Sequence, residues 1–145
     1  MENKLNVVLE LIDVKSRIDE PEVQRVLALS MFQPTTPEVI ERVVNRCRSS
    51  ENRQLWGIED GVNILGVVEY YIREDNIIYI CDIAVSEQCR GHGIGRFIID
   101  TLQKKYKLTI ELETDDDAIG FYLKCGFEAT SFEKYDIQRW KCIRS

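Results

Sequence analysis

The chain is predicted to fold as an α/β (α+β) domain, with a largely antiparallel run of strands at its centre and helices around it. Three observations predict this. Two amphipathic helical stretches lie between residues 21 and 47, and strand-type runs with hairpin signals dominate from Leu55 to Val85. Helix and strand patterns then alternate to the end. The 145 residues suit one domain, 1–145, long enough to bury a real core. No repeat, low-complexity tract or linker divides it.

Leu5 to Val14 is rich in Val, Leu and Ile and reads as a first strand. Asp19-Glu20-Pro21 then punctuates the chain, and Pro21 suits a first helical position. Val23, Val26, Leu27, Ser30 and Met31 follow at helical spacing, with Pro34 as the expected stop. Thr36-Pro37-Glu38 supplies a cap, a first position and an acidic first turn for a second helix, whose stripe is Val39, Ile40, Val43, Val44 and Cys47. Leu55–Ile58 is a short strand, and Asp60-Gly61 is a hairpin signal. Ile64–Ile72 is the next strand, turned back at Glu74-Asp75-Asn76 into Ile77–Val85. A helix over 94–105 buries Ile94, Phe97, Ile98 and Leu102, and Leu108–Leu112 is again a strand. Asp115, Asp116 and Asp117 can cap a helix carrying Ala118, Ile119, Tyr122 and Leu123, which Gly126 ends. Two β-rich stretches, near Phe127–Phe132 and Ile137–Ile143, close the chain.

Bulk composition excludes several classes of function. The net charge of −6 argues against general affinity for nucleic acid, although a local basic pocket is compatible with it. There is no long apolar run of membrane-spanning length, and the N-terminal residues lack the layout of a secretion signal. Five scattered cysteines (47, 81, 89, 125 and 142) form no C-x-x-C pair and read as free thiols in a reducing cytoplasm. With His92 as the one histidine, a zinc site of the usual Cys/His kind is not expected.

The most informative stretch is Cys81-Asp-Ile-Ala-Val85 followed by Arg90-Gly-His-Gly-Ile-Gly-Arg96 and a helix. Glycines at 91, 93 and 95 let a ligand approach the backbone, and the helix start offers unpartnered N–H groups at its positive end. Such a place binds phosphate, and Arg90 and Arg96 add charge. Two common glycine loops are excluded by spacing. A dinucleotide fingerprint needs G-x-G-x-x-G and a triphosphate loop needs G-x-x-x-x-G-K-[ST]; neither is present. What remains is the pattern [R/Q]-x-x-G-x-[G/A].

This segment resembles the coenzyme A-binding motif of the GNAT acetyltransferase superfamily. Cys81–Val85 looks like that family's fourth strand. Asp115-x-x-Ala118-x-x-Phe121-Tyr122-x-Lys124-x-Gly126-Phe127 looks like its second signature. The likeness covers about residues 77–127. It implies a mixed, mostly antiparallel sheet of about six or seven strands flanked by about four helices, splayed between the fourth and fifth strands. It further implies acetyl-CoA as cosubstrate, no metal, and direct transfer to the primary amine of a small molecule or peptide in a ternary complex. A cytoplasmic enzyme is implied, with no nucleic acid or membrane partner, and a homodimer is open.

Residue by residue, the resemblance assigns the main chain of Ile83, Ala84 and Val85 to the pantetheine arm, with the Val85 N–H polarising the thioester carbonyl. Arg90, Gly91, His92, Gly93, Ile94, Gly95 and Arg96 would hold the pyrophosphate. Asp115 stands where relatives often carry Asn; it keeps the capping geometry but is acceptor-only when ionised. Tyr122 would protonate the departing thiolate, a task that suits a phenol of pKa about 10. Some relatives use a glutamate as base where this chain has Tyr79. Glu69, across the hairpin and on the same face as Tyr79, is the candidate instead, with Glu111 and Glu113 behind it. Asp82 has the opposite parity and is expected to point elsewhere. Phe32, Tyr70, Tyr71, Tyr79 and Tyr135 are candidates for an acceptor cleft. The rival reading is a CoA-binding sensor or interaction module with weak or no turnover, favoured by the missing carboxylate at Tyr79.

Overall fold

The computed structural model describes residues 8–31 and 35–145. Seven strands form one sheet: β1 (Ile12–Asp13), β2 (Gln54–Glu59), β3 (Ile64–Ile72), β4 (Ile77–Val85), β5 (Thr109–Thr114), β6 (Glu128–Lys134) and β7 (Ile137–Arg144). Four helices accompany it: α1 (Pro21–Ala28), α2 (Pro37–Ser49), α3 (Ile94–Tyr106) and α4 (Ile119–Lys124). The strand order is β1-β2-β3-β4-β5-β7-β6. Every neighbouring pair is antiparallel except β4–β5, which is parallel and joined through α3.

The sheet separates two cores. Val23, Val26 and Leu27 of α1 and Val44 and Cys47 of α2 pack with Leu55, Val67 and Ala84 on one face. Ile94, Ile98, Ile99 and Leu102 of α3 and Tyr122 of α4 pack with Val68, Ile78, Ile110 and Leu112 on the other. Phe97, expected in the buried stripe of α3, is only half-buried, and Ile99 fills that place.

Local chemistry sets most boundaries as expected. Pro21 opens α1, and the Thr36 side chain accepts from the Val39 N–H at 3.3 Å to cap α2. Asp115 Oδ1 accepts from the Ala118 N–H at 3.0 Å at the entry to α4. The helix closes with paired bonds, Gly126 N–H to the Leu123 carbonyl and Phe127 N–H to the Tyr122 carbonyl, both 3.1 Å. Three expectations are corrected. Among the described residues the first strand shrinks to Ile12–Asp13, with Leu9 and Leu11 packed against the α3 core instead of pairing. The first helix stops at Ala28; Ser30 and Met31 follow in turns bonded to Leu27 and Ala28 carbonyls. Leu123 of α4 faces solvent. Pro34, the expected stop, and Phe32 lie outside the described residues, as does the N-terminal part of the first-strand reading.

β4 is not a regular strand. Its register with β3 runs Ile72↔Ile78, Tyr71↔Tyr79, Tyr70↔Ile80, then jumps to Glu69↔Asp82 and continues to Gly66↔Val85. Cys81 is the extra residue of a β-bulge. The burial pattern shows the resulting slip of phase. Ile78 and Ile80 belong to the α3 core, while Ala84, of the same parity, belongs to the α1/α2 core.

Candidate active site

The parallel pairing of β4 and β5 lasts three residues, Ile77↔Thr109, Ile78↔Ile110 and Tyr79↔Glu111. Beyond it the strands part, and a cleft of about 530 Å³ opens between Cys81–Ile83 on one side and Leu112–Asp115 on the other. Leu29, Ser30 and Met31 wall it from the end of α1, and Tyr122 and Arg139 from α4 and β7.

The β4 edge facing this gap carries free main-chain groups. Ser86 N–H donates to the Leu65 carbonyl at 2.9 Å, and Val85 and Ile83 lie opposite Gly66 and Val68. Hydrogen-bonded and non-hydrogen-bonded pairs alternate along an antiparallel ladder. Ile83 and Val85 therefore direct their N–H and C=O groups away from β3, toward the cleft, while Ala84 is bonded to β3 and buries its side chain against α1 and α2.

At the head of α3 the backbone turns through Gly91 (φ +84°) and Gly93 (φ +79°), left-handed conformations that glycine adopts without strain. A Cβ built at either would meet nothing within 4 Å, so the space over both is open. Gly93 is the N-cap and has no side chain to satisfy the helix; its carbonyl accepts the first helical bond, from Phe97 N–H at 3.0 Å. The preceding N–H groups, of Ile94, Gly95 and Arg96, have no intrahelical acceptor. Ile94 is buried and His92 half-buried. Gly95 serves packing, since a Cβ there would stand 2.9 Å from Phe121 Cζ. The two arginines separate: Arg90 lines the cleft, whereas Arg96 Nη1 donates to the Lys124 carbonyl at 3.3 Å.

Tyr122 is buried and reaches the cleft, packed edge-on between Phe121 and Phe127. Burial, reinforced by surrounding thiols and carboxylates, raises its phenol well above the ordinary value, so it is a protonated donor at neutral pH. Asp115, held as a cap, also lines the cleft.

The bulge at Cys81 overturns the parity expectation for Asp82. With one extra residue in β4, Asp82 stands directly opposite Glu69 on the α1/α2 face, and Asp82 lines the cleft while Glu69, 0% exposed, does not. Ser30 Oγ donates to Asp82 Oδ1 at 3.1 Å, and Arg53 Nη1 lies 3.2 Å from both Glu69 Oε2 and Cys81 Sγ. Burial, and then the facing Glu69 carboxylate, push the Asp82 carboxyl up to about 7. Burial pushes the Cys81 thiol up to about 12 despite Arg53, so it is neither a thiolate nor a nucleophile at neutral pH.

The sequence profile of the acetyltransferase (GNAT) family matches residues 22–127. The chain belongs to the GNAT acetyltransferase family. Solved structures agree on the fold. An aminoglycoside 6′-N-acetyltransferase complexed with coenzyme A superposes with a TM-score of 0.77 at 14% identity, covering 95% of this chain and 96% of its own. An acetyltransferase from Thermus thermophilus gives 0.75 at 16% identity, covering 95% and 97%. A Bacillus subtilis acetyltransferase in complex with CoA gives 0.67 at 18% identity, covering 94% and 97%. Among curated proteins none matches the chain in sequence.

For this GNAT chain, Ile83, Arg90, Asp115 and Tyr122 of the expected cofactor residues line the cleft, whereas Ala84, Val85 and Gly91–Arg96 are not among its lining residues. Among the described residues, the aromatic acceptor candidates do not gather there. Tyr70 is buried on the α3 face with its hydroxyl 2.6 Å from that of Tyr106. Tyr71 and Tyr79 pack on each other at 5.5 Å between centroids, beside Arg53 and Arg73, and Tyr135 is 87% exposed at the β6–β7 turn. Glu111 is ion-paired with Arg73 at 2.7 Å, while Glu113 lines the cleft. Asp82, Ser30, Met31 and Arg139 are among the cleft-lining residues that the motifs missed. Only an irregular alternation at Cys81-Asp82 could have signalled the first. Among the described residues no cluster of His, Cys, Asp or Glu has the makings of a metal site, and no helix is long and apolar enough to cross a membrane.

Proposed function

We propose that this GNAT chain is an acetyl-CoA-dependent N-acetyltransferase that passes an acetyl group directly to a primary amine of a small molecule or peptide. The observation that carries the reading is one cleft lined by an unpaired β4 edge, Arg90 and a buried phenol, with an open glycine turn at the head of α3 directly after Arg90 in the chain. Acetyl-CoA supplies an acetyl group activated as a thioester. The chain's residues fit such a cosubstrate. Gly91–Arg96 offer N–H groups and open space to a pyrophosphate, and the main chain of Ile83 and Val85 offers strand-type bonds to an extended amide-containing arm. Arg90 adds charge from the cleft wall. The Val85 N–H polarises the thioester carbonyl, and the Tyr122 hydroxyl donates a proton to the leaving sulfur.

The rival reading, a CoA-binding sensor, drew on the lack of a carboxylate at Tyr79; the Glu69–Asp82 pair supplies carboxylates next to the cleft and removes that support. The test is calorimetric titration with acetyl-CoA, followed by an amine panel assayed for released thiol. Binding with thiol release dependent on an amine is expected. Tight binding without release for every amine would leave the sensor reading standing in its place.

A further inference from the structure

Tyr122 can donate to a departing sulfur only if its hydroxyl is held in place, because a misplacement of about 1 Å can cost on the order of 10²-fold in rate. The helix that carries it cannot hold it alone. α4 is six residues long, and a helix that short takes its position from packing. Two contacts tie it to the first turn of α3, and both come from the end of the glycine segment.

The first contact is steric. Gly95 is buried, and a Cβ built on it would stand 2.9 Å from Phe121 Cζ and 3.4 Å from Cε1. Carbon atoms pack at about 3.5–4.0 Å, so alanine would drive the Cζ back by roughly 0.6–1.1 Å. Phe121 lies edge-on to Tyr122 with 5.1 Å between centroids, and Tyr122 lies edge-on to the buried Phe127 at 5.6 Å. The contacts therefore run in series from Gly95 to the phenol. Phe121 is 40% exposed, and any retreat of its ring, inward or outward, alters its hold on Tyr122. Val85 Cγ2 stands 3.6 Å from the same built Cβ, so the strand that leads into the glycine segment packs at this junction as well. Backbone conformation does not call for glycine here. Unlike Gly91 and Gly93, Gly95 lies within α3 at an ordinary φ, where alanine is the better helix former. The pattern [R/Q]-x-x-G-x-[G/A] admits either residue at this position, and in this chain Phe121 decides between them.

The second contact is a hydrogen bond. Arg96 Nη1 donates at 3.3 Å to the carbonyl of Lys124, the last residue of α4, where a helix leaves its carbonyls without intrahelical donors. Asp100 Oδ2, one turn further along α3, lies 3.9 Å from Arg96 Nε and helps to orient the guanidinium. Arg96 is not among the residues that line the cleft.

We propose that Gly95 and Arg96 are positioning residues for Tyr122: through Phe121 and the end of α4, the first turn of α3 sets where the phenol stands. The Arg96 side chain then serves α4 rather than the phosphates of the cosubstrate. The proposal rests on the N-acetyltransferase reading with Tyr122 as its acid. One turn of helix thereby joins both ends of acetyl-CoA, offering N–H groups to the pyrophosphate and aiming the phenol at the thioester.

The test uses the full-length protein, with spermidine, kanamycin and a glycine-terminated peptide as acceptors. Gly95→Ala keeps every main-chain N–H, so acetyl-CoA affinity by calorimetry should stay within about threefold while kcat falls roughly 10- to 100-fold. Phe121→Leu, which removes the ring that the new methyl meets, should restore most of kcat in Gly95→Ala; a strained backbone would not be rescued this way. In a Tyr122→Phe background Gly95→Ala should change kcat by no more than about twofold, since residues that act through one group are not additive. Arg96→Gln should lower kcat about two- to tenfold at unchanged affinity. A tenfold or greater loss of affinity at intact kcat would return Arg96 to the phosphates and overturn its part, at about 1.4 kcal/mol per tenfold. An NMR arm needs no turnover. With ring-labelled tyrosine, Tyr122→Phe assigns the Tyr122 signal, and Gly95→Ala should shift it more than those of the other five tyrosines. Should Gly95→Ala misfold, Phe121→Ala empties the contact from its other end and should lower kcat with the same non-additivity toward Tyr122→Phe. Wild-type kcat in Gly95→Ala, an unmoved signal, or full additivity with Tyr122→Phe overturns the positioning role alone. Wild-type kcat in Tyr122→Phe overturns the acid assignment and this role with it. Acetyl-CoA binding with no amine acetylated overturns the transferase reading beneath both.

Discussion

Gly93 and Gly61 form a matched pair for testing the cradle. Both hold a left-handed φ, +79° and +93°, and at both a built Cβ meets nothing within 4 Å. Gly61 sits in the β2–β3 turn and Gly93 at the head of α3. Alanine at either site carries the same backbone penalty, about 1–2 kcal/mol for an L-residue in that region, and no clash. In a chain of this size that corresponds to a fall in Tm of roughly 2–8 °C. Cofactor affinity should separate the two. A methyl group over Gly93 occupies the space assigned to a phosphate and holds it off a neighbouring N–H. A hydrogen bond to a charged group contributes about 1.5–3 kcal/mol, so Gly93→Ala should weaken acetyl-CoA binding roughly 10- to 150-fold while Gly61→Ala leaves it unchanged. Gly93→Val, with its branched side chain, should abolish binding measurable by calorimetry. Thermal denaturation and titration calorimetry on the same preparations read both quantities. Equal losses of stability with equal affinities would refute the cradle, because the geometry then acts only on the backbone.

Tyr122→Phe should lower kcat by about 10²–10⁴-fold with acetyl-CoA affinity nearly unchanged, as expected for a group that donates only as sulfur departs; an unaltered kcat removes the role. Thr36→Ala deletes the acceptor for the Val39 N–H and should cost about 0.5–2 kcal/mol in urea denaturation without touching acetyl-CoA binding. The Asp82 carboxyl, raised to about 7 in the folded chain, binds its proton more tightly there than when unfolded. Its contribution to stability is therefore complete below the unfolded value near 4 and is lost as pH rises from about 4 through about 7. Asp82→Asn should flatten the decline in denaturation midpoint across that window; a wild-type slope in the variant contradicts the shift. Glu20, Glu22, Asp60 and Asp75, held low by arginines or backbone N–H groups, act with the opposite sign and at lower pH.

Where turn chemistry bracketed an apolar run, the strands were legible. Asp60-Gly61 and Glu74-Asp75-Asn76 delimit β3 and β4, whose observed bounds match those read from the residues. The α2 start was equally plain, because Thr36-Pro37-Glu38 leaves one good arrangement for a cap. Among the described residues, Leu9 and Leu11 are not told from strand residues by composition, because strand and buried coil share it; they pack on the α3 core without pairing. Ser30 and Met31 kept helical spacing past the last helical turn, since spacing alone does not reveal where bonding changes to i→i−3. In the candidate site, the glycine turn and the helix start were legible because they are local features. The Glu69–Asp82 pair was not. Its geometry depends on register between β3 and β4, and one extra residue brought Asp82 from the face its parity predicts to a place opposite Glu69.

That extra residue has a further consequence. Upstream of Cys81, β4 has neighbours on both edges; downstream, it has one. The slip in phase and the loss of the β5 partner fall within two residues of each other, so the gap and the carboxylate beside it originate in one place. Excising Cys81 would remove the bulge yet leave Asp82 opposite Glu69, because the pairs on either side of it, Tyr70↔Ile80 and Glu69↔Asp82, would then simply follow one another.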